Sequence, residues 1–126
     1  MQRFEFDFDY PLAAPLVVAG ITPRTAHVDL VDGEVRARFG PWVLRTPIDN
    51  VVETDITGPY RWWRVLGVRL SMADRGLTFG TNARKGLCLG FAEAVPAIAP
   101  VKSFRHRALT LTVADPQGLS IAIRRG

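Results

Sequence analysis

Cysteine is all but missing from this chain of 126 residues: Cys88 is the only one. A lone thiol cannot close an intramolecular disulfide and gives no Cys-based zinc site, so the fold must rest on its hydrophobic core. Cys88 lies in the apolar run Leu87-Cys88-Leu89, where a small buried hydrophobe is expected and where apolar neighbours would hold the thiol protonated. Long apolar stretches are missing too. The longest, Pro11 to Ile21, is broken by Pro15 and Gly20 and is far shorter than the roughly 20 residues of a membrane-spanning helix. Met1-Gln2-Arg3 leads directly into alternating Phe and acidic positions, unlike a signal peptide. A soluble, cytoplasmic protein without a transmembrane segment is the expectation.

Histidine is scarce, and this weighs against catalysis. His27 falls in an apparent strand, and His106 falls in a basic loop, Lys102-Ser103-Phe104-Arg105-His106-Arg107, where a solvated face is expected. No acids ring either histidine in sequence. No glycine-rich phosphate motif opens a helix, and no loop has the ligand spacing of a calcium site. The acids Glu5, Asp7, Asp9 and Asp29 alternate along strands as a solvated sheet face would. No catalytic residue, cofactor or metal is therefore assigned.

What is present fits a single globular domain spanning residues 1–126, with 48% hydrophobic and 22% charged residues. The formal charge of +4 is unevenly spread. Residues 1–55 carry nine acids against five arginines, and residues 56–126 carry eleven basic residues against three acids. In one compact domain this asymmetry reads as pairing between acidic and basic strands, with an anionic partner as the alternative. Only Lys85 and Lys102 of the 16 basic residues are lysines, a bias that a GC-rich coding sequence also produces.

Residues 3–10 alternate Phe4, Phe6, Phe8 and Tyr10 with charged positions, the period of a half-buried strand. Residues 12–25 hold Pro15, Pro23 and Gly20 and read as a connection with one short helical turn at Leu16–Ala19. Asp32-Gly33 between two alternating runs predicts a tight hairpin. Further strands are expected over 42–46, 48–57, 65–72, 77–81, 87–91 and 108–113, while Pro96 and Pro100 mark 95–101 as a connection. Asp115-Pro116 reads as the N-cap and first position of a terminal helix, whose apolar face carries Leu119, Ala122 and Ile123; Gly118 weakens that helix, and a short strand is the alternative. The expected fold is mainly β: one small antiparallel barrel or sandwich of about seven strands with a short C-terminal helix.

The densest chemistry is Gly58-Pro59-Tyr60-Arg61-Trp62-Trp63-Arg64. Aromatic faces beside guanidinium groups suit nucleic acid, acidic lipid head groups or other phosphate-bearing ligands. Arg84 with Lys85, and Arg105, His106 and Arg107, are the other candidates for such an anion-binding face. Strand alternation sends Tyr60, Trp62 and Arg64 one way and Arg61 and Trp63 the other, so the favoured reading is that the tryptophans plug an open barrel end.

Phe39-Gly40-Pro41-Trp42, Arg45-Thr46-Pro47, the Gly58–Trp63 run and Ala73-Asp74-Arg75-Gly76-Leu77-Thr78-Phe79 resemble a family of small uncharacterised actinobacterial proteins. The succession of strand, Asp-Pro and helix over Leu109 to Arg125 is similar to the end of bacterial pleckstrin-homology-like domains, a strand meander closed by a C-terminal helix. Fold does not carry function, so the expectation remains a non-enzymatic binding or protein-interaction module, self-associating through an edge strand or joined to a protein partner. The plug reading predicts blue-shifted, iodide-resistant fluorescence from variants that retain only Trp62 or only Trp63; red-shifted, quenchable emission would place those rings in solvent.

Overall fold

The computed structural model describes residues 2–8, 14–60, 67–71, 76–82, 84–98 and 105–125. Among them nine strands are formed: β1 (Gln2–Glu5), β2 (Ala26–Val31), β3 (Glu34–Phe39), β4 (Trp42–Pro47), β5 (Val51–Thr57), β6 (Gly67–Ser71), β7 (Gly76–Gly80), β8 (Gly86–Ile98) and β9 (Arg105–Leu111). A helix, α1 (Pro116–Arg125), ends the chain, and 3-10 turns occupy Ala14–Ala19 and Ile48–Asn50.

Tight turns set the local register. Asp32 and Gly33 both take positive φ, 53° and 72°, as a two-residue hairpin with the strand twist demands, and β2 pairs β3 from Val31↔Glu34 to Ala26↔Phe39. Gly40-Pro41 turns β3 into β4 with Phe39 opposite Trp42. These breaks, with Pro47 at the end of β4, make three separate strands of residues 34–57. The strands number nine among the described residues, where a barrel or sandwich of about seven was expected. Residues 48–50, expected as strand, are the 3-10 turn that swings the chain from β4 to β5.

The strands follow one path, β1-β2-β3-β4-β8-β9-β7-β6, with β5 attached to β8 off that path. No closed barrel forms among the described residues, because β8 changes partners along its length. Gly86–Phe91 pairs with β5, and Ala97 and Ile98 pair with Leu44 and Val43 of β4. A register shift between Gly90 and Val95 marks the changeover, while β9 follows β8 on its other side through Val95↔His106 and Pro96↔Arg105. Pro96 is thus inside a strand and not in a connection. It sits after β5 has ended and before β4 pairing begins, with a neighbour on one side only, where a missing N–H is tolerated. The pair β7–β9 is parallel, unlike its neighbours.

The strand expected over 3–10 is shorter as β1, and its continuation changes neighbours. Phe6 bridges Val113, the Asp7 amide donates to the Thr112 carbonyl at 3.0 Å, and the Ala114 amide donates to the Glu5 carbonyl at 2.9 Å. Tyr10 lies outside the described residues.

The two sheet regions meet on Phe39, which is fully buried. Its ring stacks on Phe79 at 4.9 Å between centroids and leans on Phe6 at 5.1 Å, so β3, β7 and the β1 exit share one aromatic column. Around it lie Val28, Val35, Leu44, Leu87, Leu89, Leu109 and Leu111, and α1 adds Leu119 and Ile123. The helix begins as its sequence implies, with the Asp115 carboxylate accepting from the Gly118 amide at 3.0 Å and Pro116 at the first position.

Beside this apolar core is a buried polar lock. Thr81, Asn82 and Thr112 are no more than 1% exposed. Thr81 Oγ1 and Asn82 Nδ2 each donate to the Asp7 carbonyl at 2.7 Å, and the Thr81 amide donates to Thr112 Oγ1 at 2.8 Å. Asn82 Oδ1 accepts from the Arg84 and Lys85 amides, so the cluster has its hydrogen bonds filled. Because Phe39 joins three segments, Phe39→Ala is expected to lower the unfolding free energy by about 3–5 kcal/mol, measured by urea titration. A loss below about 1 kcal/mol would mean that the column does not join the sheets.

Candidate functional site

Arg61, Trp62, Trp63 and Arg64 lie outside the described residues, and Tyr60 marks where that stretch begins. Gly58, at φ 127°, packs so tightly on the turn before β8 that a Cβ there would strike the Arg84 carbonyl oxygen and lie 2.8 Å from Lys85 Cα. The Tyr60 hydroxyl donates to the Thr57 carbonyl at 2.9 Å and shares a short hydrogen bond with the Thr57 hydroxyl. Burial pushes its pKa above 10.0, with Cys88 and Asp55 nearby adding to the rise. Tyr60 is therefore a neutral latch over Gly86. The structure brings together Tyr60, Arg84 and Lys85. Arg84 is already engaged, its Nη2 2.7 Å from Asp7 Oδ2, and Lys85 is exposed.

Arg105, His106 and Arg107 stand elsewhere. They open β9 beside Val95 and Pro96, whereas Arg84 and Lys85 adjoin Gly86, whose neighbour Leu87 pairs with Leu111 at the far end of β9. Six steps along a strand separate the two groups by about 20 Å. Nor is residues 105–107 a loop, and His106 is 2% exposed where a solvated side chain was expected. Alternation in β9 is the cause: Arg105 and Arg107 face solvent, and the residue between them must turn inward. Lys102 lies outside the described residues. Cys88 is half-buried and not fully so, because it faces away from the core between the inward-facing Leu87 and Leu89.

The expected pairing of an acidic first half with a basic second half occurs once among the described residues, as Arg84–Asp7. The other ion pairs stay within residues 3–45. Arg3 holds Asp29 at 2.7 Å, and Arg36 and Arg45 reach Glu34 at 2.9 and 3.2 Å. Those two guanidiniums hold the Glu34 carboxyl below its ordinary pKa.

A surface that motif reasoning passed over is β5. Among the described residues it pairs only with β8, leaving its second edge open. A register shift between Val51 and Glu53 pushes Val52 outward to 65% exposure, and Ile56 is 43% exposed. Glu53 and Asp55 lie opposite Gly90 and Cys88 on the outer face, are exposed and have no ion pair among the described residues. On the inner side Thr54 shares a 2.9 Å hydrogen bond with Ser120 and accepts from Arg124 of α1. A groove of about 470 Å³ runs between this edge and α1, lined by Ile48, Asp49, Val51, Val52, Glu53, Thr54, Ile123 and Arg124. The signal was present in Val51–Thr57 as a β-branched run with acids at alternate positions.

Comparison with protein-family models, with curated proteins and with solved structures finds no match for the chain. No helix among the described residues is long and apolar enough to cross a membrane.

His27 carries a pH dependence. Its side chain is 13% exposed, and Nδ1 lies 3.4 Å from Asp29 Oδ2, a charge contact without hydrogen-bond geometry. Burial lowers its pKa below 6.5, outweighing Asp29. The unfolded chain therefore takes up this proton at a higher pH than the folded one. Stability present above pH 6.5 is lost as pH falls below that value. The midpoint of thermal unfolding should drop less between pH 7.5 and pH 5 in His27→Gln than in the parent, by roughly a few degrees; equal drops would remove His27 as the cause.

Proposed function

We propose that this protein is a non-enzymatic interaction module that holds a protein partner along the open edge of β5. The observation that carries the proposal is that edge itself, a row of backbone donors and acceptors without a strand partner among the described residues and flanked by exposed Val52 and Ile56. Strand addition to such an edge supplies affinity from the main chain and specificity from alternate side chains. Two grooves lie beside it, of about 470 Å³ next to α1 and about 570 Å³ around Asn50 and Glu93.

The architecture proposed with this function is a pleckstrin-homology-like variant, in a cytoplasmic member of the actinobacterial family that its motifs resemble. The β1–β4 meander and the helix after the last strand support it; the parallel β7–β9 pair and the open sheet are departures from that plan. A second reading, an anionic ligand at the Tyr60 end, is favoured by the packing of Gly58 against Arg84 and Lys85. It requires salt-sensitive binding to acidic lipid vesicles or single-stranded nucleic acid that Arg61→Ala with Arg64→Ala abolishes.

Selection of displayed peptides on the immobilised protein tests the main reading. Enriched sequences should bind in extended form and lose affinity about tenfold or more against Val52→Lys with Ile56→Lys, with circular dichroism unchanged. Binders indifferent to that double change would move the function away from β5.

A further inference from the structure

The open edge of β5 has a sign as well as a shape. Glu53 and Asp55 project from its outer face and Asp49 stands at its entrance, all exposed and without an ion pair among the described residues. On the opposite face Ile56 offers apolar surface, Val52 stands out at the register shift, and Arg124 closes the groove by hydrogen bonding to Thr54. The edge is therefore two-faced, with acids on one side and Ile56 on the other, and Val52 adds an exposed aliphatic group at its start.

A second copy of the chain is a poor occupant of this edge. An antiparallel partner strand must keep its faces aligned with those of β5, because a slip of one residue reverses every side chain. The well-overlapped registers that do so are centred on Glu53, Thr54 or Asp55. They set Glu53 against Glu53, Glu53 against Asp55, or Asp55 against Asp55. Like charges directly opposite each other destabilise a strand pair. The same carboxylates favour a strand that brings lysine or arginine to the outer face and aliphatic residues to the inner one.

From this we infer that the occupant of the β5 edge is an extended basic segment of a different protein, alternating cationic and aliphatic residues, and not a second copy of this chain. The inference rests on the open-edge reading above. Glu53 and Asp55 meet the cations, Val52 and Ile56 meet the aliphatic side chains, and the β5 backbone supplies the ladder. Because the segment crosses solvent-facing carboxylates, its association is salt-sensitive.

Three synthetic heptapeptides test this, alternating valine with lysine, with serine or with glutamate, titrated against the full chain by calorimetry. The lysine peptide should bind about tenfold more tightly than the serine peptide and the glutamate peptide least, with the order reversed in Glu53→Lys with Asp55→Lys. Equal binding of all three would leave the open edge in use and overturn the basic occupant. Binding of none would overturn both and reduce the two acids to guards of an exposed strand. Sedimentation of the parent protein supplies the remaining arm: a dimer that Val52→Lys dissociates would make the second copy the occupant and overturn the inference.

Discussion

The backbone of Glu93 is where this fold is decided, because β8 cannot keep one set of partners over thirteen residues. Between its β5 half and its β4 half the ladder breaks, and the polar groups of the bulge need other partners. The Asn50 carboxamide provides them. Its Oδ1 accepts from the Glu93 amide at 2.8 Å, and its Nδ2 donates to the Glu93 carbonyl at 3.0 Å and to Thr46 Oγ1 at 3.0 Å. One side chain thus stands in for a strand across the gap. With that gap bridged, β8 can belong to two sheet regions. The inner faces of both then meet on Phe39, and α1 seals the opening with Leu119 and Ile123. The free edge of β5 is a consequence of the same arrangement, since β3 follows β4 and no described strand follows β5.

Apolar packing alone would leave this arrangement loosely specified. Burial supplies most of the driving force but has no direction, whereas hydrogen bonds to buried groups do. The Thr81-Asn82-Thr112 cluster fixes the β1 exit against the ends of β7 and β9 by holding the Asp7 carbonyl with two donors. Asn50 fixes the middle of β8. Two polar clamps therefore set register at places where the chain changes partners, and aromatic stacking fills the space between them.

The features legible in the sequence were those demanded by a few adjacent residues. Asp32-Gly33 must turn because both residues take positive φ, and Asp115-Pro116 must start a helix because a carboxylate caps it and a fixed φ fits it. Alternation correctly made strands of residues 26–31 and 34–39. What eluded sequence reasoning depended on distant pairing. The parallel β7–β9 contact and the partner change in β8 join segments some thirty residues apart or change sides in mid-strand, and no local pattern encodes either. Pro96 looked like an ending only because a strand flanked on one side at that residue was not foreseeable. His106 looked solvated because its neighbours are cationic, although strand alternation between two outward arginines already implied an inward side chain. Of the candidate site, Tyr60 and the Arg84-Lys85 turn proved to be neighbours, which sequence spacing could not tell, and the β5 edge showed only as a β-branched run with acids at alternate positions.

The charge distribution gains its meaning from the same long-range pairing. Arg3, Arg36, Arg45 and Arg84 are matched to Asp29, Asp32, Glu34 and Asp7, and every one of these pairs is at least partly exposed. Pairs of that kind contribute about 0–1 kcal/mol each, too little to have organised the sheet. Their effect is to neutralise most of the acids along β2 and β3, namely Asp29, Asp32 and Glu34. Of the acids left without an arginine, Asp49, Glu53 and Asp55 fall at or beside one strand, the one whose backbone is also unpaired among the described residues. An unpaired ladder attracts any extended chain, and unpaired carboxylates select among chains by charge. On the strand-addition reading proposed above, the two properties, brought together at β5, would turn an edge open to aggregation into one that discriminates.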